Sequence, residues 1–394
     1  MRIFVLGGAG NMGSEVTRTL LRFPEVKQVA IGEYNLGAAN RLAAELNDPR
    51  VRVVSVDVTK VGETAAKLEG YDVLMNTTYF GFFDHAIQVA VKAKIDYADL
   101  ISEPTPEQEE MVRKSGITAV SGLGLTPGLS NVLARQGANQ FQATEEVHIH
   151  WVSLRTVAPS EGLMDTIIWE LATECPTRGY SLNGRFTVVP PFEGSKQVKF
   201  AEPVGEQTVY YVPHTETVSL SQNIAGVKYV SVRGTWRPSL MEDFRVLNRY
   251  GLLDSAEVEV NGVCQKVSDV ARKRIWQMHG RQIDSNLWAF FINVEVIGRR
   301  AGEWKRYVAN VSHPVDWKDR TTAKMTGIPA AVGAMLLGRN KRKQIGIVYP
   351  ENYYDPAEFL HELAMLECIK VEESVTDYHV QAGAVELAGV GAHD

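Results

Sequence analysis

The sequence predicts an α/β protein with a Rossmann-type, doubly wound parallel sheet that is split by an inserted α+β domain. A glycine-rich turn directly follows the first apolar strand, at residues 7–13. Strand and helix patterns then alternate through the first 140 residues, as they do in a parallel sheet with crossover helices. From Glu145 onward, longer apolar runs are interrupted by a few helical stretches, which is typical of a largely antiparallel sheet.

Length, charge and cysteine content limit the class of protein. The 394 residues exceed what one hydrophobic core usually supports, so two domains are expected. The net charge of −6 argues against general binding of nucleic acid or acidic membranes. The three cysteines are isolated, which fits a reducing compartment and gives no zinc-binding spacing. Because no signal peptide or twenty-residue apolar span is visible, we expect a cytoplasmic protein with no membrane partner, no nucleic acid and no metal.

The first element pair carries a dinucleotide-binding motif. The glycines of Gly8-x-Gly10-x-x-Gly13 follow the strand at residues 3–6 and open a helix predicted over residues 14–21. The first glycine makes the tight turn, the second lets the backbone approach a pyrophosphate, and the third lets the helix pack on the strand. We expect the whole loop to bind the pyrophosphate: Gly8, Gly10, Asn11, Met12 and Gly13.

Glu33 ends the second strand and bears on the choice of cofactor. A carboxylate here would accept hydrogen bonds from both hydroxyls of the adenosine ribose, and it would repel a 2′-phosphate. We therefore predict NAD as the cofactor, in preference to NADP. Arg22 or Arg41 could fold over the ribose and weaken that preference.

The remaining elements follow in order. Further strands of the parallel sheet are predicted at residues 28–31, 51–56, 73–76, 96–99 and 118–121. Strands of the second half are predicted at 147–154, 208–212, 228–233, 288–297 and 304–311, with helices at 161–174, 240–250 and 267–278. A small-residue helix over 321–337 should kink near Pro329, and a strand at 345–348 and a helix at 356–367 should return to the first domain. The predicted domains are 1–126, 127–322 and the return segment 323–380, with a mobile tail or interface arm at 381–394.

Three later motifs occur in a distinctive order. They are Tyr97-x-Asp99, Gly124-x-Thr126-Pro127-Gly128-x-Ser130-Asn131 and Gly346-Ile347-Val348-Tyr349-Pro350-Glu351. Together with the N-terminal glycine motif, they resemble the saccharopine dehydrogenase family, most closely its lysine 6-dehydrogenase branch. The resemblance spans nearly the whole chain and rests on the combined order, since no single motif suffices.

The resemblance implies a nicotinamide-dependent oxidoreductase that acts on carbon–nitrogen bonds of a small amine or amino acid. Family members have a split nucleotide domain and an inserted domain that binds substrate and usually forms a homodimer. Oxidative deamination of the lysine 6-dehydrogenase type is the leading hypothesis. Reductive condensation of an amine with a carbonyl compound, as in saccharopine, opine or carboxy-polyamine enzymes, is one alternative, and a non-catalytic nucleotide-binding protein is another. No match to the family's lysine–histidine acid/base pair is visible.

Three side chains are candidates for the chemistry. An ammonium group cannot deliver a hydride until it loses a proton, so a base with a pKa near neutrality is needed. His214 follows a predicted strand and precedes Glu216, which could orient it; a surface histidine that caps a strand end is the alternative. Tyr79 and Asp99 could anchor the substrate amine or act in a proton relay, and Tyr79 could equally pack over the nicotinamide.

The resemblance also implies cofactor contacts beyond the glycine loop. Asp57 would lie beside the adenine, Asn76 and Thr77 would pass under the nicotinamide ribose, and the backbone from Leu125 to Pro127 would approach the carboxamide.

Other polar residues of the second half have less specific patterns. His148 and His150 share one face of a strand, a spacing that can hold a metal, but their neighbours should form the buried face, so we expect solvent-facing histidines. One arginine could clamp a substrate carboxylate, and the sequence does not choose among Arg155, Arg178, Arg185, Arg233 and Arg237.

Overall fold

The computed structural model describes residues 1–101, 103–155, 158, 160–278, 288–317, 320–340 and 344–378. The predicted tail at 381–394 lies outside the described residues. Within the described residues, unit 1 comprises 1–133, 158–163 and 313–370, and unit 2 comprises 134–157, 164–312 and 371–378. None of the helices within this part of the chain combines the length and the apolar character that a membrane crossing requires.

The first part of the chain alternates strands and helices. Its elements are β1 (Arg2–Leu6), α1 (Asn11–Leu20), β2 (Gln28–Glu33), α2 (Leu36–Leu46), β3 (Val51–Ser55), α3 (Val61–Ala66), β4 (Val73–Asn76), α4 (Phe83–Ala93), β5 (Asp96–Asp99), α5 (Pro106–Ser115), β6 (Thr118–Val120) and α6 (Leu129–Ala138).

The middle of the chain is richer in strands. Its elements are β7 (Ala143–Leu154), α7 (Glu161–Leu171), β8 (Gly179–Leu182), β9 (Arg185–Val188), β10 (Lys196–Lys199), β11 (Glu206–Tyr211), α8 (Glu216–Asn223), β12 (Tyr229–Trp236), α9 (Pro238–Arg249), β13 (Glu257–Val260), β14 (Val263–Lys266), α10 (Val267–Met278), β15 (Ala289–Arg300) and β16 (Glu303–Ser312). The last part contains α11 (Thr321–Arg339), β17 (Gly346–Val348), α12 (Pro350–Tyr353), α13 (Pro356–Ala364) and β18 (Lys370–Asp377).

Unit 1 contains a parallel sheet of seven strands in the order β17-β6-β5-β4-β1-β2-β3. Ile3 on the central strand pairs with Val29 on one side and with Val73 on the other. Because the strands are parallel, their carboxyl ends share one edge, where the glycine loop after β1 and the turns after β2, β4, β5 and β6 all lie. The predicted fold class is confirmed for this unit, and β17, from late in the chain, completes the sheet.

Helix α11 belongs to the late segment of unit 1, residues 313–370, and packs on the early segment, residues 1–133. It runs through Pro329 as one helix, so the kink expected there stays a prediction. A Cβ added at Gly327 would lie 2.8 Å from Glu15 Cβ and 3.0 Å from the Met12 carbonyl oxygen, so α11 approaches α1 at van der Waals distance. The glycine therefore permits helix contact directly behind the dinucleotide loop.

Unit 2 contains a nine-stranded sheet whose main path is β10-β11-β12-β7-β15-β16-β18, with β8 pairing β12 and β9. The pair β12 and β7 is parallel, whereas β11 with β12, β7 with β15 and β15 with β16 are antiparallel. The predicted, largely antiparallel sheet is therefore confirmed. Strand β7 is buried on both faces over most of its length, as expected for a strand in the middle of a covered sheet.

Candidate functional site

The glycine loop of unit 1 has the shape of a pyrophosphate cradle. Gly7 takes a left-handed φ of 76°, and Gly10 caps α1 in extended conformation without a side-chain hydrogen bond. A Cβ at Gly13 would overlap the Gly7 carbonyl oxygen and lie 2.5 Å from Thr77 Oγ1. Only glycine fits there, so α1 can pack closely on the strand, and the first N–H groups of a helix have no partner within the helix and can bind a phosphate. The loop, including Gly8, Asn11 and Met12, thus fits a bound pyrophosphate.

Glu33 lies at the end of β2, next to the glycine loop. Its Oε2 accepts a hydrogen bond from the Ala9 N–H at 3.2 Å, and its Oε1 accepts one from the Tyr34 N–H at 3.1 Å. These bonds fix the carboxylate at the edge of the loop and leave it further lone pairs for ribose hydroxyls. The residues present therefore fit a nicotinamide dinucleotide.

Asn76 and Thr77 are held rigidly at the carboxyl end of β4. The Asn76 side chain is fully buried and donates from Nδ2 to the Tyr97 hydroxyl at 3.0 Å. Thr77 Oγ1 donates to the carbonyl oxygens of Leu6 and Gly7 at 2.8 and 3.1 Å, so the two strand ends are tied together. Asp57, two residues after β3, accepts hydrogen bonds from the N–H and hydroxyl of Thr59. Their contacts with a cofactor stay predictions.

The Pro-Gly turn is locked by a residue from the late segment. Its Thr126–Pro127 peptide bond is cis, Leu125 is buried, and the Gly124 N–H donates to the Pro127 carbonyl at 2.8 Å. Asn131 accepts a hydrogen bond from the Gly128 N–H at 2.9 Å and donates to buried Glu351 at 2.9 Å. Two of the motifs that carried the resemblance are thus joined within unit 1.

Tyr79 and Asp99 differ in exposure. Tyr79, after β4, is 41% exposed, and its ring packs on Phe80 at 4.2 Å between centroids. Asp99, at the end of β5, is 1% exposed and accepts a hydrogen bond from the Gly122 N–H at 3.0 Å. Asp99 therefore supports the turn after β6, and Tyr79 is the more accessible of the two. Their catalytic roles stay predictions.

His214 belongs to a buried polar cluster in unit 2. It stands between β11 and α8, with Nδ1 3.4 Å from Glu216 Oε2, and its side chain is 9% exposed while that of Glu216 is fully buried. The imidazole stacks on Trp151, with ring centroids 6.0 Å apart and 28° between the planes. His214 is therefore held in one orientation, unlike the surface histidine that the sequence left open.

Two carboxylates set the protonation of this cluster. Burial opposes a charge on His214, but the charges of Glu216 and Glu170 outweigh it, so the pKa of His214 is raised above its ordinary value. Burial raises the pKa of Glu170 to about 7, although nearby cations oppose that shift. Among the described residues, Glu170 Oε2 has no hydrogen-bond partner. The cluster can therefore hold and release a proton near neutral pH.

Two of the candidate arginines lie beside Glu170. Burial lowers the pKa of Arg155 to about 10, and the charge of Glu170 partly offsets that shift. Arg178 donates from Nη1 to the carbonyl oxygens of Glu170 and Ala172 at 2.6 and 3.0 Å, so it supports the end of α7. Arg155 therefore has the stronger electrostatic link to the cluster.

The expectation of solvent-facing histidines on β7 is wrong. His148 and His150 are 8% and 1% exposed, because the sheet is covered on both faces. His148 contacts Ser231 at 3.1 Å and Glu146 at 2.9 Å, and His150 contacts Asn293 at 3.1 Å. No group of three or more metal-ligating side chains is found within the described ranges.

Glu170 and Arg320 were not identified from the sequence. Glu170 lies among apolar positions of α7, and a charged residue on such a stripe is the signal that could have identified it. Arg320 contacts Glu15 at 3.0 Å across 305 residues of chain, and no local pattern indicates such a contact.

Two family models match the chain. The model described as saccharopine dehydrogenase NADP binding domain matches residues 3–120, and that of the saccharopine dehydrogenase C-terminal domain matches residues 124–366. The chain is 23% identical to carboxyaminopropylagmatine dehydrogenase of Synechocystis sp., over 90% of this chain and 94% of that protein.

Two solved structures share the fold. Apo saccharopine dehydrogenase (L-Glu forming) from Saccharomyces cerevisiae has a TM-score of 0.68 at 15% identity, covering 95% of this chain and 99% of that one. Homospermidine synthase from Legionella pneumophila, in complex with NAD, has a TM-score of 0.59 at 15% identity, covering 96% and 91%.

Proposed function

Because the chain belongs to the saccharopine dehydrogenase family and is an NAD(P)-dependent oxidoreductase, we propose that it acts on a carbon–nitrogen bond of a small amine or amino acid. The observation that carries the proposal is the buried histidine–carboxylate cluster, His214 with Glu216 and Glu170, in a chain that also has the dinucleotide loop. Amine oxidation needs such a base, because an ammonium must lose its proton first.

The chain's own residues divide the work. Gly8, Gly10 and Gly13 would hold the pyrophosphate and Glu33 the adenosine ribose, which favours NAD over NADP. The nicotinamide, when bound, supplies the hydride acceptor or donor. His214 would accept the proton of the substrate ammonium, while Glu216 orients the imidazole and stabilises its charged form.

The relative with matching length favours one substrate class. The match with carboxyaminopropylagmatine dehydrogenase covers 94% of that protein. Its name denotes an agmatine that carries a carboxyaminopropyl group, which is a carboxyalkylated polyamine. We therefore place a secondary amine of this kind first, with either its oxidation or the reverse condensation of amine and carbonyl as the reaction. Oxidative deamination of a diamino acid, as in lysine 6-dehydrogenases, is the second candidate and rests on the Pro-Gly turn and the late Tyr349-Pro350-Glu351 motif.

Absorbance of the reduced nicotinamide tests the proposal in both directions. Purified protein with NAD is offered lysine, other diamino acids and carboxyalkyl polyamines, and protein with NADH is offered agmatine together with an ω-semialdehyde or a keto acid. Turnover of a secondary amine supports the first candidate, and release of ammonia from lysine supports the second. Tight dinucleotide binding without turnover of any amine would contradict both and would support a non-catalytic protein.

A further inference from the structure

Unit 2 contains a hairpin and a helix that bury little of their own surface. Strands β13 and β14 form a separate two-stranded sheet, and all eight of their residues are exposed. Helix α10 follows directly, and within the described chain none of its twelve residues is buried. These three elements, residues 257–278, are called the hairpin segment below. Since an isolated two-stranded hairpin is only marginally stable in water, the segment is expected to have a partner that covers it.

The register of the hairpin places three valines on one face. Val260 pairs with Val263 across the turn, and Val258 lies two residues earlier on the same strand, so their side chains share a face. The other face carries the side chains of Glu257, Glu259, Cys264 and Lys266. Alternation of apolar and polar residues is typical of a strand with one covered face. The three valines are nevertheless 45–54% exposed in the described part of the single chain.

Helix α10 shows the same difference between sequence pattern and burial. Its apolar residues at positions 267, 270, 271, 275 and 278 recur at helical spacing and form one stripe. Such a stripe is usually covered, because packing of the apolar face supplies most of the stability of a helix. Here Val270 is 50% exposed, and the other four residues are half-buried. The hairpin segment therefore offers two apolar surfaces, the valine face and the α10 stripe.

Contacts with α7 and the turn after it fix the base of the hairpin segment. Arg272 on α10 pairs with Asp165 on α7, with 2.9 Å between Nε and Oδ1. Asp254, just before β13, accepts a hydrogen bond from the Thr173 N–H at 2.9 Å. The two apolar surfaces thus have a defined position on unit 2.

The charges of the hairpin segment favour a second copy of this chain as the partner. Three acidic and four basic side chains lie within it: Glu257, Glu259, Asp269, Lys266, Arg272, Lys273 and Arg274. Two of the acids lie on β13, and three of the bases lie together on α10, so two copies related by a twofold axis can pair opposite charges. A partner with charges of one sign would meet like charges on one of these elements.

We propose that the hairpin segment is an interface between two copies of this chain, which pack their valine faces and α10 stripes together about a twofold axis. Its 22 residues match the roughly 20–30 residues per side of a stable interface. Burial of the apolar surfaces supplies the driving force for association, and the charged side chains lie at the rim. The inference concerns assembly and does not depend on the proposed reaction.

Sedimentation velocity of the full chain tests the inference. The unmodified protein should sediment as two chains at micromolar concentration. Val260→Lys should weaken the dimer at least about 100-fold, because it would bury an unpaired charge in the interface. Val188→Lys is the matched control, since Val188 is 55% exposed on β9 and lies outside the hairpin segment. The inference is overturned if the unmodified protein is a monomer, or if the two lysine variants have the same effect.

Amide hydrogen exchange across a dilution series gives a second test that needs no variant. The amides of residues 257–278 should exchange at least about tenfold more slowly in the dimer than in the diluted monomer, because association covers them. The amides of β9 should exchange equally at both concentrations. Equal exchange of residues 257–278 in dimer and monomer would place the interface elsewhere. Slow exchange of these residues in the monomer would show that the same chain covers them, and either result overturns the inference.

Discussion

At the scale of single residues, His214 shows how surroundings decide a side chain's chemistry. Sequence order alone could identify a histidine before Glu216, since a carboxylate two residues away can orient an imidazole. It could not identify Glu170, because this residue reaches the cluster from another helix, nor the covered face that buries His148 and His150. Local patterns therefore predict local partners, while long-range contacts depend on how the strands pair.

Replacing His214 should separate its role from a structural one. His214→Asn is expected to lower kcat/KM for amine oxidation by about 10²- to 10⁴-fold, the usual contribution of a general base. The unprotonated imidazole is the active form, so the rate should rise with pH through a pKa above 6.5, and that limb should disappear in the variant. The pH profile of kcat/KM measures both effects.

His361→Asn serves as the control, since this histidine is exposed on α13. It should keep the rate and the pH profile. An unchanged profile in His214→Asn would exclude His214 as the base.

Glu170 should make stability depend on pH. Burial raises the pKa of Glu170 from 4.5 to about 7, so the stability it contributes is fully present below pH 4.5 and is lost as the pH rises through 7. This shift corresponds to roughly 3 kcal/mol. Glu170→Gln is expected to unfold at higher denaturant concentration than the unmodified protein at pH 8, with little difference at pH 4.5.

Chemical denaturation at both pH values measures the difference. Glu161→Gln, at an exposed position of the same helix, is the control and should behave as the unmodified protein does. Equal stability of Glu170→Gln and the unmodified protein at pH 8 would contradict a raised pKa for the buried Glu170 carboxyl.

At the scale of elements, periodicity predicted the long strands and helices well. The strands at 73–76 and 96–99 and the helix at 267–278 match the structure residue for residue. Strands β8, β9, β10, β13, β14 and β18 were not predicted, because each has mixed polarity and takes its hydrogen bonds from partners that the local sequence does not reveal. A strand was therefore predicted where it belongs to the alternating strand and helix pattern of the parallel sheet, or where it is long and apolar.

The contact between α1 and α11 depends on Gly327. Gly327→Ala is expected to lower the free energy of unfolding by about 1–2 kcal/mol, because the added Cβ meets Glu15 Cβ at 2.8 Å. Dinucleotide affinity should also fall, since the Met12 carbonyl is only 3.0 Å from the new atom. Thermal unfolding and NAD titration measure the two effects.

Gly62→Ala in α3 is a matched control. Its Cβ would meet only the flexible end of Lys92, so the usual helix preference for alanine should leave stability equal or higher. If both Gly327→Ala and Gly62→Ala stabilise the protein, that result would contradict the close contact between α1 and α11.

At the scale of the whole molecule, unit 1, which contains the dinucleotide loop, is built from residues that are far apart in sequence. The sequence indicated a return of the chain through its late motif, and the structure adds the contacts that achieve it, Asn131 with Glu351 and β17 with β6. Unit 1 also includes the short segment Ala158–Leu163, which no change in sequence composition indicates.

Binding of NAD should stabilise both the early and the late segment of unit 1. Addition of NAD is expected to slow amide hydrogen exchange in residues 7–20 and also in residues 321–339, because α11 packs on α1. Exchange measured by mass spectrometry resolves both segments. Protection confined to the early segment would show that the late segment is not energetically coupled to the loop.

The predicted homodimer can be tested by the mass of the protein in solution. Light scattering of the purified protein should give twice the chain mass of 43.6 kDa at micromolar concentration. A mass of one chain across the accessible concentration range would contradict it.

The late position of β17 has a consequence during protein synthesis. Strand β6 keeps an open edge until residues 346–348 leave the ribosome, roughly 10–45 s after residue 120 at about 5–20 residues per second. The sheet of unit 2 receives β18 only some twenty residues later. Both units therefore become complete within the same short interval of translation. A nascent chain that terminates before that interval contains two unfinished sheets with unpaired edges, which makes it a substrate for chaperones or proteases.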